Sequence, residues 1–236
     1  MDTVQMENIL KNLTNLEMSF RQLAPNLNYH DLNTYKRFLE HFFIREHRLE
    51  SVYWPQLPEP ASHSHRFLTS YTEIERLPLF RAGNIIMMKN PNLPFSHMLK
   101  NDFFQCIYMM EGGASLNLEH MEKSLEKGDF LILFPDVNHL LTPSESAIAI
   151  NILIEKNQMY SKKYPILDCY AATDDKGVKR QLTSDDTEYL LLHTVENDDI
   201  RTIILKMFTE YLQSLDYKEE ILESYLTLLF VYLMRY

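Results

Sequence analysis

The stretch between residues 103 and 154 constrains the fold of this chain more than any other part of the sequence. It consists of short runs of aromatic and aliphatic side chains, divided by glycine, proline and charged residues. The runs that we interpret as strands are residues 103–111, 114–118, 121–125, 130–134 and 147–154. Short apolar runs separated by turn residues are typical of a small antiparallel barrel or sandwich. We therefore predict an antiparallel β-barrel in this part of the chain.

Glycine and proline define the ends of these strands. Gly112 and Gly113 interrupt an otherwise continuous apolar run, and glycine readily adopts the positive φ that a tight reversal requires. A second turn is predicted at residues 127–129, around Gly128. Pro135 is expected to end the strand at 130–134, because proline has no N–H to donate to a neighbouring strand. That strand is apolar on both faces, which predicts that it is covered on both sides.

Two motifs in this stretch carry a family resemblance. Gly128-Asp129, followed by Pro135 and His139, resembles the second conserved motif of the cupins. The segment FFQCIYMMEG at residues 103–112 resembles the strand and turn before that motif in the sensor domains of AraC/XylS-type transcription regulators. The resemblance implies a cupin-like antiparallel β-barrel with a C-terminal helical dimerisation segment. Together with N-terminal helices, which the apolar spacing before the barrel predicts, this gives an α+β fold.

The cupin resemblance also bears on metal binding. Metal-binding cupins resemble one another in a strand with two alternating histidines and a glutamate, completed by a late histidine. If Gln105 takes the place of that glutamate, the two histidine positions fall near Leu99 and Asn101, and neither residue is a histidine. His97 is close in sequence, but a change of register would turn it to the wrong face. His63 and His65 form a pair that could chelate, but no third ligand follows at a useful spacing. We therefore predict no metal, no cofactor and no catalytic residue.

Strand alternation instead indicates a binding pocket for a small organic effector. It places Gln105 and Ile107 on one face, together with residues 101 and 103. If this face points inward, the interior is apolar with a few amides and a histidine, which suits a ligand. No lysine or arginine falls on this face, so an acidic effector is not expected. The alternative is a filled barrel in which Gln105 and His139 bond to each other or to the backbone. The predicted ligand-binding residues are Asn101, Phe103, Gln105, Ile107, His139 and Asn151.

The chain before the barrel reads as helical. Apolar residues recur every three or four positions between Met6 and Leu23, which predicts one helix that ends before Pro25. Asp31 can cap a second helix, and a connecting loop follows. The barrel is predicted to begin with a strand at residues 85–88. The predicted domains are a helical region with its loop at 1–68, the barrel at 69–157, and a linker with C-terminal helices at 158–236.

Two helices are predicted at the carboxyl end. Residues 187–195 form a short apolar patch, which could be a helix or a strand, and Asn197 or Asp198 can then cap an amphipathic helix. The next helix, residues 217–236, is apolar nearly all round. In AraC/XylS-type regulators such helices pair with a second subunit, so we expect charged substitutions at Phe208 and Leu229 to give a monomer. The predicted dimerisation residues are Ile204, Phe208, Tyr211, Leu226, Leu229 and Leu233.

Charge and cysteine content limit the function. A formal net charge of −10 disfavours contact with nucleic acid phosphates, so this chain by itself should not bind DNA. Two cysteines and no signal peptide or membrane-spanning run predict a cytoplasmic protein with no membrane partner. The resemblance implies the sensor and homodimerisation part of a transcription regulator, with a helix-turn-helix domain outside this chain. The alternatives are a stand-alone cupin enzyme, an isomerase or dioxygenase, or a pure oligomerisation module.

Overall fold

The computed structural model describes residues 2–23, 83–93, 98, 100–161, 164, 166, 189–194, 197–213 and 216–235. The predicted helix after Asp31, the loop that follows it, and the histidines at positions 63, 65 and 97 lie outside the described residues.

The strands form two antiparallel sheets. One sheet has five strands in the order β1-β7-β2-β5-β8, and the other has three in the order β4-β3-β6. With the flanking helices, this arrangement confirms the predicted α+β class with its antiparallel strands. The hairpin strands β3 and β4 have the predicted bounds. The strands are β1 Ile85–Lys89, β2 Phe104–Glu111, β3 Ala114–Leu118, β4 Met121–Leu125, β5 Asp129–Leu133, β6 His139–Pro143, β7 Ile148–Ile154 and β8 Tyr189–His193.

Five helices accompany the sheets in the described part of the chain. They are α1 Thr3–Leu10, α2 Asn15–Leu23, α3 Lys156–Ser161, α4 Asp198–Gln213 and α5 Lys218–Leu233. Their buried side chains join those of the strands in a single hydrophobic core. None of the described helices combines the length and the apolar character that a membrane crossing requires.

The two faces of the larger sheet have different neighbours. Residues directly opposite each other on paired strands share a face, so Gln105, its partner Leu133, and Tyr189 beyond it all point the same way. The Tyr189 hydroxyl donates to Met121 Sδ of β4 at 3.4 Å, so this face looks toward the smaller sheet. The ring of Phe104, on the other face, contacts Tyr160 of α3. Gln105 therefore faces the barrel interior, and the other face packs on the helices.

The turn at Gly112 requires glycine for two reasons. Its φ is +69°, a left-handed conformation that other residues rarely adopt. An added Cβ atom would also lie only 2.9 Å from the Cα atom of Ala147. The sequence-based prediction of a glycine-dependent reversal at this position is confirmed.

The N-terminal apolar stripe is divided between two helices, and the prediction of one continuous helix was wrong. Helix α1 ends at Leu10 and α2 begins at Asn15. The Thr14 N–H donates to Glu17 Oε2 at 2.6 Å, and the Glu17 N–H donates to Thr14 Oγ1 at 3.2 Å. This reciprocal pair is a capping box, which starts a new helix by satisfying its first N–H groups. The apolar periodicity therefore continues across a break in the backbone.

The C-terminal elements follow the predicted periodicity. The apolar patch around residue 190 is a strand, β8, which pairs with β5 at the edge of the larger sheet. Residues beyond position 157, the predicted end of the barrel, therefore contribute a strand to this sheet. Asn197 caps α4, because its Oδ1 accepts from the N–H groups of Asp199 and Ile200 at 2.8 and 3.1 Å. Helix α4 packs against α5, α1 and β1, so it lies between the second C-terminal helix and the barrel.

Candidate functional site

The six predicted ligand-binding residues are all buried. Gln105 and Ile107 lie on the inner face of β2, and Asn151 is paired with Ile107 from β7. Asn101 and Phe103 precede β2. His139 begins β6 and is paired with Leu118 of β3, on the face that looks toward the larger sheet. Three of the six, the amides, are brought into mutual contact.

These amides form a continuous chain of hydrogen bonds. Asn101 Nδ2 donates to Gln105 Oε1 at 2.8 Å, and Gln105 Nε2 donates to Asn151 Oδ1 at 3.3 Å. Asn151 Nδ2 donates to Asn90 Oδ1 at 2.9 Å. Asn90 Nδ2 donates to the carbonyl oxygen of Pro91 at 3.3 Å. Asn90 is not among the predicted ligand-binding residues, and only the register of β1 against β7 places it beside Asn151.

His139 bonds to the backbone rather than to the amide chain. Its Nδ1 is 3.0 Å from the carbonyl oxygen of Val137, and a carbonyl can only accept. Nδ1 therefore carries the hydrogen, and Nε2 of the neutral ring is an acceptor. Burial lowers the pKa of His139, although the bond to Val137 opposes this effect. The ring is consequently neutral at physiological pH. Its bond to the Val137 carbonyl agrees with the alternative in which His139 bonds to the backbone.

The buried His139 is expected to make the protein less stable in mild acid. Its pKa is lowered by folding, so the unfolded chain binds a proton below about pH 6.5 that the folded protein does not bind. The free energy of unfolding should therefore fall as the pH drops from that value, by at most about 1.4 kcal/mol per pH unit for one proton. Urea unfolding across this range should show a shallower fall for His139→Gln. His120→Gln, at an exposed turn, is the control; equal slopes for both variants would contradict the prediction.

Arg201 connects the barrel to the helices. From α4, its Nη1 donates to the carbonyl oxygen of Met110 at 2.9 Å. Its Nη2 lies 2.6 Å from Glu7 Oε1 of α1 and 3.2 Å from Glu111 Oε1 of β2. Strand β2 thus carries Gln105 near its beginning and is held by α4 at its end. Arg201 is not among the predicted site residues, because no local pattern links it to β2.

The described residues also bear on metal and thiol chemistry. Nowhere in the described ranges do three His, Cys, Asp or Glu side chains come close enough to hold a metal ion. Cys106 shares a face with its partners Ile132 and Ile152, on the helix side of the sheet. Burial raises the pKa of its thiol well above the usual range, so Cys106 stays protonated and unreactive.

An open groove of about 550 Å³ lies at one end of the smaller sheet. Hydroxyl groups from three strands and the turns between them line it, together with the backbone of Gly112 and Gly113. None of the predicted ligand-binding residues contributes to it. Its polar lining residues are Ser115, Ser124, Glu126, Thr142 and Ser144.

The structure places all of the predicted dimerisation residues inside the protomer. Each is at most 2 % exposed, because α4 and α5 bury these side chains against each other and against the barrel. These side chains pack within the core of the protomer, so the outward faces of the two helices are the surfaces left for a second subunit. The residues concerned are Ile204, Phe208, Tyr211, Leu226, Leu229 and Leu233.

Comparisons with known proteins give only remote structural similarities. No protein-family model and no curated protein matches the chain. An apo variant of ToxT from Vibrio cholerae is 13 % identical with a TM-score of 0.46, over 66 % of this chain and 58 % of ToxT. Wild-type ToxT with a bound unsaturated fatty acid is 16 % identical with a TM-score of 0.36, over 64 % and 53 %. A DUF861 family protein from Thermotoga maritima is 14 % identical with a TM-score of 0.25, over 29 % and 76 %. This chain thus spans little more than half of ToxT, and similarities this remote assign it neither a family nor a function.

Proposed function

We propose that this chain is the effector-binding and dimerisation part of an AraC-type transcription regulator. It would control DNA binding by a helix-turn-helix domain that lies outside the chain. The resemblance at residues 103–112 and at Gly128 to His139 supports this proposal, and the structure pairs the two segments as neighbouring strands β2 and β5. The main observation in its support is the path of strand β2. Its first part holds Gln105 in the buried amide chain, and its last part is bonded by Arg201 of helix α4.

This course of β2 supplies a mechanism for sensing. An effector that rearranges the amides around Gln105 would shift β2, and the Arg201 contacts to Met110 and Glu111 would carry the shift to α4. Helix α4 packs on α5, so the pose of both helices would change. An effector can bias this equilibrium only by binding one pose more tightly than the other. In a dimer, the altered pose would change the spacing of two attached DNA-binding domains.

The outward face of α5 is the surface that we propose for the second subunit. Leu228 and Val231 are 43 % and 37 % exposed, although both are large apolar side chains. They are three residues apart and thus neighbours on the helix, with half-buried Tyr225 and Tyr232 beside them. An exposed apolar patch on one face of a helix can pair with its own copy across the two-fold axis of a homodimer.

Charges on this face should separate the dimer without unfolding the protomer. We expect Leu228→Glu with Val231→Glu to halve the mass in sedimentation, because the like charges would meet across the two-fold axis. The chain fused to the DNA-binding domain of a repressor that requires dimerisation should lose repression with the same substitutions. Val4→Glu, at a 66 % exposed apolar residue of α1, is the matched control and should change neither result. A dimeric mass for the double variant would contradict this interface.

We also propose that the chain has no catalytic role and needs no metal cofactor. Gln105, bonded to Asn101 and Asn151, supplies amides rather than the carboxylate and imidazoles that a cupin metal site uses. Protein purified without chelator should therefore contain no stoichiometric transition metal by mass spectrometry. Stoichiometric iron, manganese or zinc would instead favour the cupin enzyme.

A further inference from the structure

Asn101 has an unsatisfied acceptor at the end of the amide chain. Asn101 is 4 % exposed, and no donor among the described residues lies within hydrogen-bond distance of its Oδ1. Leaving a buried polar atom without a partner destabilises a protein, because the atom loses its hydrogen bonds to water and gains none in return. Buried polar groups in native proteins are nearly always bonded, so an orphaned one indicates a strained or functional position.

The direction of the whole chain of amides follows from its other end. The carbonyl oxygen of Pro91 can only accept, so the side chain of Asn90 must donate to it and present Oδ1 to Asn151. The same argument applies to each amide in turn, so Asn101 must donate from its Nδ2 to Gln105. The group left over at Asn101 is therefore an oxygen. A carboxylate, which also only accepts, cannot bond to it.

A second acceptor lies at the same end of the barrel. The carbonyl oxygen of Asn101 accepts from the N–H of Asp136 at 2.6 Å, which ties Asn101 to the turn before β6. His139 begins that strand, and its Nε2 is an acceptor because Nδ1 carries the hydrogen. Asn101 Oδ1 and His139 Nε2 are thus both hydrogen-bond acceptors.

The charges of the described residues favour a neutral ligand. Of the two buried lysines, Lys89 bonds to Glu17 and Asn12 on the helix side of the sheet, and Lys218 lies in α5 over the ring of Tyr211. Neither is placed to neutralise an anion inside the barrel. The residues next to the amides on the inner face, such as Ile107 and Leu133, are apolar. A buried anion without a paired cation would be costly.

We infer that this end of the barrel binds an apolar molecule through a neutral hydrogen-bond donor, such as a hydroxyl group, and discriminates against carboxylates. The donor bonds to Asn101 Oδ1. This inference rests on the proposed effector-binding function and adds the polarity of the effector to it.

Matched small molecules test this polarity on the unmodified protein. Benzyl alcohol offers a hydroxyl donor, benzyl methyl ether has the oxygen without the donor, and benzoate is the corresponding anion. Titration monitored by ligand-observed NMR should show the alcohol binding about tenfold more tightly than the ether, since one buried hydrogen bond is worth about that factor. Benzoate should bind no more tightly than the ether. The preference for the alcohol should be lost in Asn101→Leu and kept in Asn117→Leu, which alters an exposed asparagine of β3.

The possible outcomes separate this inference from the function on which it rests. Binding of the ether or benzoate as tightly as the alcohol would overturn the inference and leave effector binding in place. An alcohol preference that persists in Asn101→Leu would overturn the assignment to Asn101. Failure of all three compounds to bind would overturn the inference as well, while the repression assay with the α5 variants tests dimerisation independently.

Discussion

Replacing Lys89 by methionine is expected to lower the free energy of unfolding by about 3–5 kcal/mol. The Lys89 ammonium, in β1, lies 3.4 Å from Glu17 Oε2 of α2, with side-chain exposures of 4 % and 1 %. It also donates to the carbonyl oxygen of Asn12 at 2.8 Å. Burial lowers the pKa of Lys89, and the charge of Glu17 opposes this effect. Removing the ammonium would leave a buried carboxylate without its counter-charge, and this accounts for the large loss.

Urea unfolding followed by circular dichroism measures this loss. Lys123→Met, at an exposed lysine of β4, is the matched control and should change the stability by no more than about 0.5 kcal/mol. Adding Glu17→Gln to Lys89→Met should restore part of the stability, because a neutral amide at position 17 removes the unpaired charge. Equal stability of Lys89→Met and Lys123→Met would show that the ion pair does not hold the N-terminal helices to the barrel.

Replacing Phe208 by alanine is expected to cost about 3–5 kcal/mol of stability, the usual cost of truncating a buried aromatic ring. Phe208 is fully buried in α4, a helix that packs against α5 on one side and α1 and β1 on others. The loss of the ring leaves a cavity at this junction. The sequence-based expectation was that a charge at position 208 would yield a folded monomer. Its burial within the protomer predicts unfolding instead.

Thermal and urea unfolding distinguish the two expectations when combined with sedimentation. Val4→Ala removes an exposed apolar side chain of α1, outside the proposed interface, and it should change the free energy of unfolding by no more than about 0.5 kcal/mol. Phe208→Ala should lower the unfolding midpoint while any folded fraction keeps the mass of the unmodified protein. A fully stable, monomeric Phe208→Ala protein would contradict the buried position of this ring.

The helical and strand elements were predictable to different degrees. The hairpin strands at 114–118 and 121–125 have the predicted bounds, since the alternation of side chains and the flanking turns act within a few residues. The break between α1 and α2 was missed, although Thr14 and Glu17 carry the threonine-x-x-glutamate spacing of a capping box. The apolar repeat continues across this polar signal and therefore conceals the break. For β8, the sequence left helix and strand open, and pairing with β5 decided between them.

The candidate site shows the same division. Strand alternation was sufficient to group Gln105 with Ile107, and the paired register confirms that the two share a face. No pattern within the sequence could place Asn90 beside Asn151, or Lys89 beside Glu17, because these pairs are far apart along the chain. The apolar character of α4 and α5 likewise predicted that one face of each helix is buried, but it did not specify what covers that face. In the structure, the buried faces pack against other parts of the same protomer.

By itself, the sequence determined most of the antiparallel barrel strands, their glycine turns and the apolar faces of the helical segments at both ends, but not strand β6 or the break between α1 and α2. Hydrophobic periodicity specifies which face of an element is buried, and this information is local. Only the tertiary structure decided which polar groups meet inside: the amides that end at the Asn101 oxygen, the Lys89–Glu17 pair, and Arg201 between β2 and α4. A hydrogen bond or an ion pair depends on distances of a few ångströms between remote residues, which only the packing of the whole chain establishes.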